Sequence, residues 1–283
     1  MGTVYKLFEK QRGTTVKQIV DTFTTPQKIL IVFWHGLGDT LMFLPLYEHF
    51  RTLYPQHYIE LSLLPGVGQA EFFNTLELPE DKFIETHDCC FVISFPMVEG
   101  ANKMTKSEYC CICELGIPPV YLGLPKINKV PNKMVAVHLQ GTCLPGSTNP
   151  DYVLAKQIWD DIITAGYVPM DVHFRHAFHN PVNEPYTWVN RSCRDLKPDI
   201  FTLQMVIENC FAFVGVASGP FVLALSIDPK RVIYLQKHHT LNCYVKEPIK
   251  TVNLLKYDSK ELIEGLNDIA AKTVRLGGKC CCS

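Results

Sequence analysis

The run KILIVFWHGLGDTLMFLPLYEHFRTLY at residues 28–54 carries the strongest structural signal in the chain. From Ile29 to Trp34 every side chain is apolar, with β-branched and aromatic types prominent. A strand buried on both faces of a parallel sheet reads this way. The run breaks at His35-Gly36-Leu37-Gly38-Asp39 and passes into a helical pattern over residues 40–54, with Leu41, Leu44, Tyr47 (or Glu48) and Leu53 recurring at spacings near 3.6. Strand, glycine turn and helix form the opening unit of a doubly wound α/β domain.

Outward from this unit the alternation continues. The spacing predicts strands over 58–64 and 90–95, and helices near 69–75 and 106–115, the latter capped by Thr105 or Ser107. A Pro- and Lys-containing connector at 123–132 separates this half from a second one. There, strands are predicted over 134–139, 168–174, 211–216 and 231–235, with helices over 151–165, 201–210, 221–227 and 259–274. The chain is thus predicted to divide into an N-terminal arm at 1–26 with one helix near 15–23, a first Rossmann-like domain at 27–125, a second at 126–275, and a Cys-rich tail at 276–283.

The length of 283 residues fits two domains of ordinary size. Hydrophobic content of 47% against 19% charged residues is that of a globular chain, and a net charge of −1 gives no global attraction to nucleic acid or anionic membrane. No secretory signal is read at the start. The uncharged segment 209–227 is punctuated by Gly215, Ser218, Gly219 and Pro220, which fits a strand, turn and helix better than a membrane span. A soluble, cytoplasmic protein is expected, its twelve cysteines reduced. Cys110, Cys111 and Cys113 lack a second ligand pair and read as buried thiols, with no metal site. Cys280-Cys281-Cys282-Ser283 reads as a disordered tail.

Three blocks in order, ILIVFWHGLGDTLMFLPLYEHFRTLYP at 29–55, VAVHLQGT at 135–142 and CFAFVGVASGPFVLAL at 210–225, resemble the ADP-heptose:lipopolysaccharide heptosyltransferases of glycosyltransferase family 9. The resemblance implies the GT-B fold, with two Rossmann-like doubly wound domains facing a central cleft. It also implies inverting, metal-independent transfer from a nucleotide sugar, the acceptor held by the first domain and the donor by the second. Several positions depart from the family pattern. Val216-Ala217 stands where the family has Asn-Asp, Val222 where it has His, and residues 143–150 hold no Lys or Arg. Donor contacts are therefore expected to be remodelled.

An acceptor hydroxyl that attacks an anomeric carbon must lose its proton, and a carboxylate in reach supplies roughly 10²–10⁴-fold. Asp39 is the candidate base, with His35, Gly36 and Gly38 forming the turn that admits a ligand. The alternative reading of Asp39 is an N-cap of the helix starting at Thr40, and one residue can do both. Leu41 stands where the third glycine of a dinucleotide fingerprint would fall, which argues against that motif. In the second half, Ser218-Gly219-Pro220 opens a helix whose free N–H groups can hold a diphosphate, or it is simply a buried turn. Gln140, Gly141 and Thr142 offer backbone N–H groups and a hydroxyl, or merely shape a loop. Lys237, His238 and His239, with His173, Arg175 and His176, are candidates for the positive charge that a leaving diphosphate needs. His138 and the tryptophans Trp159 and Trp188 receive no role.

No cofactor is expected beyond a nucleotide-sugar co-substrate. The acceptor is a glycan, a lipid-linked species or a nucleic acid. Two alternatives remain: transfer to a modified nucleic-acid base of the phage DNA type, betrayed by salt-dependent DNA binding, and an inactive nucleotide-sugar-binding protein, motivated by Ala217.

Overall fold

The structure is a computed structural model that describes residues 3–6, 14–66, 68–93, 106–118, 132–141, 148–172, 186–189, 191–192, 200–238 and 249–277. The chain divides into two compact units, with the change from the first to the second between Gly123 and Leu124. Each unit is built on its own parallel sheet.

The first sheet takes β1 (Thr3–Lys6), β2 (Lys28–Phe33), β3 (Tyr58–Leu63) and β4 (Cys89–Val92) in the order β1-β4-β2-β3, all parallel. Residues 3–6, read from sequence as part of an arm, form an edge strand beside β4. Four residues in the pattern TVYK are too few and too polar to announce a strand, and only pairing with β4 makes them one. Four helices join the strands: α1 (Val16–Val20), α2 (Leu37–Leu53), α3 (Gln69–Phe73) and α4 (Phe83–Thr86). A fifth, α5 (Lys106–Tyr109), runs on as a π-helical segment, Cys110–Leu115.

Strand β2 sits in the middle of this sheet and is buried on both faces, which is why it lacks polar alternation. Phe33 stacks on Phe43 of α2 at 4.0 Å and 4°, and Leu30, Val32 and Cys90 meet Phe83 on the opposite face. Burying rings of this size stabilises by about 1.5–3 kcal/mol each.

Of the positions that periodicity picked out on helix α2, only Tyr47 is buried, with Leu41 and Leu44 half-buried. The buried residues of α2 include Thr40, Phe43, Tyr47 and Phe50, whereas Leu53 is 43% exposed. The stretch TLMFLPLY is apolar almost all round, so periodicity alone leaves its phase open.

The second sheet has β5 (Met134–His138), β6 (Val168–Asp171), β7 (Ala212–Gly215), β8 (Val232–Gln236) and β9 (Lys250–Asn253) in the order β6-β5-β7-β8-β9, all parallel. Helices α6 (Tyr152–Thr164), α7 (Ile200–Glu208), α8 (Gly219–Ile227) and α9 (Ser259–Gly277) cover it. One face packs Val135, Val137, Val214, Ile233 and Val252 against Ile158 and Ile162 of α6 and Leu262, Leu266 and Ile269 of α9. On the other, Phe221 of α8 meets Phe213 and Tyr234. Strand β9 was not read from sequence; its pattern, with one buried residue in four, is too weak to stand out.

The doubly wound α/β class is thus observed in both units. Among the described residues no helix is long and apolar enough to cross a membrane, and segment 209–227 forms β7, a turn and α8. Cys110 and Cys111 are buried as expected, but Cys113, in the same π-helical segment, is exposed. Thr105 and the terminal cysteines lie outside the described residues, and Ser107 lies within α5 rather than capping it.

Candidate functional site

In an open parallel sheet, ligands bind beyond the carboxyl ends of the strands at the point where successive connections leave in opposite directions. Each unit has one such point. In the first sheet it lies between β2 and β4, since β3 follows β2 on one side and β4 is added on the other. In the second it lies between β5 and β7, for the same reason.

At the first point stand His35, Gly36, Gly38 and Asp39. The helix begins earlier than its sequence suggests. Gly36 is the N-cap, without a side-chain cap bond, and Asp39 is the third helical residue. Asp39 is therefore not the N-cap; the chain enters the helix as soon as it leaves the turn. Its carboxylate lies in the first turn, where the helix dipole favours negative charge.

The Asp39 side chain is 24% exposed, with Oδ2 3.8 Å from Nδ1 of His35. The other ring nitrogen of His35, Nε2, donates to the Ile93 carbonyl at the end of β4, at 3.3 Å. A carbonyl only accepts, so this contact keeps the proton on Nε2 and turns Nδ1 toward Asp39. The His35 carbonyl in turn accepts from the Thr40 hydroxyl at 3.5 Å and from the Gln69 amide Nε2 at 3.2 Å. Thr40 and Gln69 are buried, and neither stood out in the sequence. His35, read from sequence as part of the turn that admits a ligand, stands at the switch point.

At the second point the loops after β5, β7 and β8 converge. Asn149 clasps Gly141 from both sides: its Oδ1 accepts from the Gly141 N–H at 2.8 Å, and its Nδ2 donates to the Gly141 carbonyl at 3.1 Å. A Cβ at position 141 would fall 2.8 Å from the Ala217 carbonyl, so glycine is required there. Lys237 Nζ donates to the Asn149 carbonyl at 3.1 Å, which brings its ammonium to the same edge. Gln140 interacts through its side chain with the Tyr186 hydroxyl, whose pKa burial pushes up to about 12. His138 is buried, and His238 is exposed beside Lys237.

Ser218 is the N-cap of α8. Its Oγ accepts from the Phe221 N–H at 3.3 Å and donates to the Val216 carbonyl at 3.1 Å. The Val222 N–H is already bonded to the Ser218 carbonyl, and Pro220 has none. Several free N–H groups were expected at this helix start; among the described residues, Gly219 supplies the one backbone donor that the first turn does not use. The departures at 217 and 222 are buried, Ala217 4% and Val222 2% exposed, so here they fill the packing rather than face a ligand.

Thr142, His173, Arg175, His176 and His239 lie outside the described residues. The residues that sequence reasoning missed are Gln69, Asn149 and Tyr186. Only Asn149 carried a local signal, as part of the turn-forming Asn149-Pro150-Asp151 before α6. Among the described residues no group of three His, Cys, Asp or Glu could hold a metal ion.

Two Rossmann-like units, each with its switch point furnished with polar groups, define a GT-B-type α/β protein. Solved structures of similar fold include glycosyltransferases. It is similar to the iron-containing dodecameric glycosyltransferase TibC from enterotoxigenic E. coli H10407, at 17% identity and a TM-score of 0.58, over 89% of this chain and 79% of that one. It is similar also to E. coli ADP-heptose lps heptosyltransferase II, at 14% identity and a TM-score of 0.61, over 87% and 99% of the two chains. E. coli heptosyltransferase WaaC with ADP matches at 10% identity and a TM-score of 0.57, over 86% and 99%. At these identities the likeness is one of fold. No protein-family model matches the chain, and no curated protein matches it in sequence.

Proposed function

We propose that the chain is an inverting, metal-independent glycosyltransferase that moves a sugar from a nucleotide-diphosphate donor to an acceptor hydroxyl, with Asp39 as general base. The observation that carries this reading is the half-buried Asp39 carboxylate at the switch point of the first sheet, with His35 turned toward it. The shared fold with heptosyltransferases supports the reaction class.

In the proposed reaction the acceptor oxygen forms a bond to the anomeric carbon while its proton passes to Asp39. The bond from that carbon to the donor phosphate breaks, and its electron pair leaves with the nucleoside diphosphate. Carboxylate assistance of this kind contributes about 10²–10⁴-fold. The departing charge needs a positive partner, and Lys237, the Gly219 N–H and the N-terminal end of α8 are the described candidates; the Gly141 N–H, which the sequence offered, is taken by Asn149.

A thermal-shift panel of nucleotide sugars and free nucleoside diphosphates tests the reading. A bound donor raises the melting temperature by mass action. The donor that shifts it most is then assayed with Asp39→Asn, for which turnover is expected to fall about 10²–10⁴-fold with nucleotide binding retained. Transfer should survive EDTA. Unchanged turnover in Asp39→Asn removes the base; no shift with any nucleotide sugar removes the donor.

A further inference from the structure

Gln69 opens α3, directly after the strand that neighbours β2, and is 2% exposed. Its amide nitrogen donates to the His35 carbonyl at 3.2 Å, while its carbonyl oxygen Oε1 is buried without a hydrogen-bond partner. A buried amide with one end unsatisfied is destabilising, and an apolar side chain of the same size would avoid the penalty. Packing alone therefore does not account for a glutamine at this position. The group it holds is the carbonyl of His35, the last peptide before the Gly36 cap. That peptide sets where α2 begins, and so where the first-turn carboxylate of Asp39 lies. The Thr40 hydroxyl reaches the same carbonyl only at 3.5 Å, and Thr40 is fully buried. The turn before Asp39 is thus gripped from α3, from α2 and, through His35 Nε2, from the end of β4.

We propose that Gln69 is a positioning residue for Asp39: its amide fixes the His35–Gly36 peptide and thereby the reach of the carboxylate. This rests on the reading of Asp39 as the base. Misplacing a reacting group by about 1 Å costs on the order of 10²-fold in rate without any change in the chemistry. Gln69 therefore acts on turnover and not on donor binding.

The test uses the full chain and Gln69→Leu, Gln69→Glu and Asp39→Asn. For Gln69→Leu, hydrogen exchange followed by mass spectrometry is expected to show the segment around residues 37–40 opening about tenfold faster, while the rest of the first unit is unchanged. The melting midpoint is expected to stay within about 3 °C of wild type. ADP release from ADP-heptose is expected to lose kcat and keep KM for the donor. Gln69→Glu keeps a donor toward the His35 carbonyl only while its carboxyl is protonated. Relative to wild type at the same pH, its protection and turnover should therefore decline as pH rises.

Wild-type exchange and kcat in Gln69→Leu overturn the proposal. So does a fall in melting midpoint accompanied by faster exchange throughout the unit, which would make the residue merely structural. An active Asp39→Asn overturns the base reading and this proposal together, whereas an inactive Asp39→Asn beside a fully active Gln69→Leu overturns the positioning role alone. If the wild type leaves ADP-heptose intact, the exchange measurement decides.

Discussion

Replacing Asn149 with alanine removes both hydrogen bonds that clasp Gly141, the one to its N–H at 2.8 Å and the one from Nδ2 to its carbonyl at 3.1 Å. Gly141 is buried, so both of its backbone groups lose their partner out of reach of bulk water. An orphaned buried group costs roughly 1–3 kcal/mol. Allowing for partial relaxation, Asn149→Ala should destabilise the second unit by about 2–4 kcal/mol, or on the order of 5–15 °C in melting midpoint for a unit of this size.

Gly141→Ala attacks the same contact from the other side. Its Cβ would meet the Ala217 carbonyl at 2.8 Å and the Asn149 Oδ1 at 3.5 Å, and forcing the backbone apart costs about 1–3 kcal/mol. Because the two residues are direct neighbours held by the same pair of hydrogen bonds, the double variant should depart from the sum of the two. Asn149→Asp keeps the acceptor for the Gly141 N–H but turns an oxygen toward the Gly141 carbonyl, so it should resemble the alanine variant rather than wild type. Differential scanning calorimetry of the four variants, with and without ADP, reads all of this. A midpoint for Asn149→Ala within 2 °C of wild type, or strict additivity in the double variant, would refute the idea that Asn149 holds this loop.

Two further predictions concern titration and reactivity. Burial lowers the pKa of both His57 and His87; His57 accepts from the Gln27 N–H at 3.0 Å, and His87 Nε2 lies 3.1 Å from Glu60. A group whose folded pKa lies below its unfolded value stabilises fully above the unfolded value, about 6.5, and loses that contribution as pH falls through the folded one. Urea unfolding should therefore report lower stability at pH 5 than at pH 8, and His57→Gln with His87→Gln should flatten the difference; an equal slope in the double variant would argue against it. Burial also pushes the Cys90 and Cys210 thiols up to about 12, whereas Cys113 is exposed. Under native conditions iodoacetamide is expected to label Cys113 well before Cys89, Cys90, Cys110, Cys111 or Cys210, as peptide mapping would show. Early labelling of Cys90 would mean that the first core opens readily.

The continuous apolar runs at 29–33, 134–137 and 211–216 determined by themselves that this is a parallel α/β protein of two similar halves. Strands buried on both faces have no polar positions to alternate, and the glycines that follow them mark the exits. The same local signal picked out Asp39, Gly141 and Ser218, because a residue directly after such a strand is carried to the carboxyl edge whatever the rest of the chain does.

Strand order was decided only by tertiary structure, and with it the switch points, since order depends on which way each connection crosses the sheet. So were the edge strands β1 and β9, which have too little burial of their own to be strands without a neighbour. The buried face of α2 also waited for the sheet to choose a phase. The roles of Gln69 and Asn149 were hidden for a related reason: their partners, His35 and Gly141, stand 34 and 8 residues away, and a hydrogen bond across such a gap leaves no periodic trace, so the Asn149 turn signal did not point to Gly141. The turn at Ser218-Gly219-Pro220 was read as opening a helix with free N–H groups, yet the Ser218 hydroxyl caps that helix and takes up the Phe221 N–H.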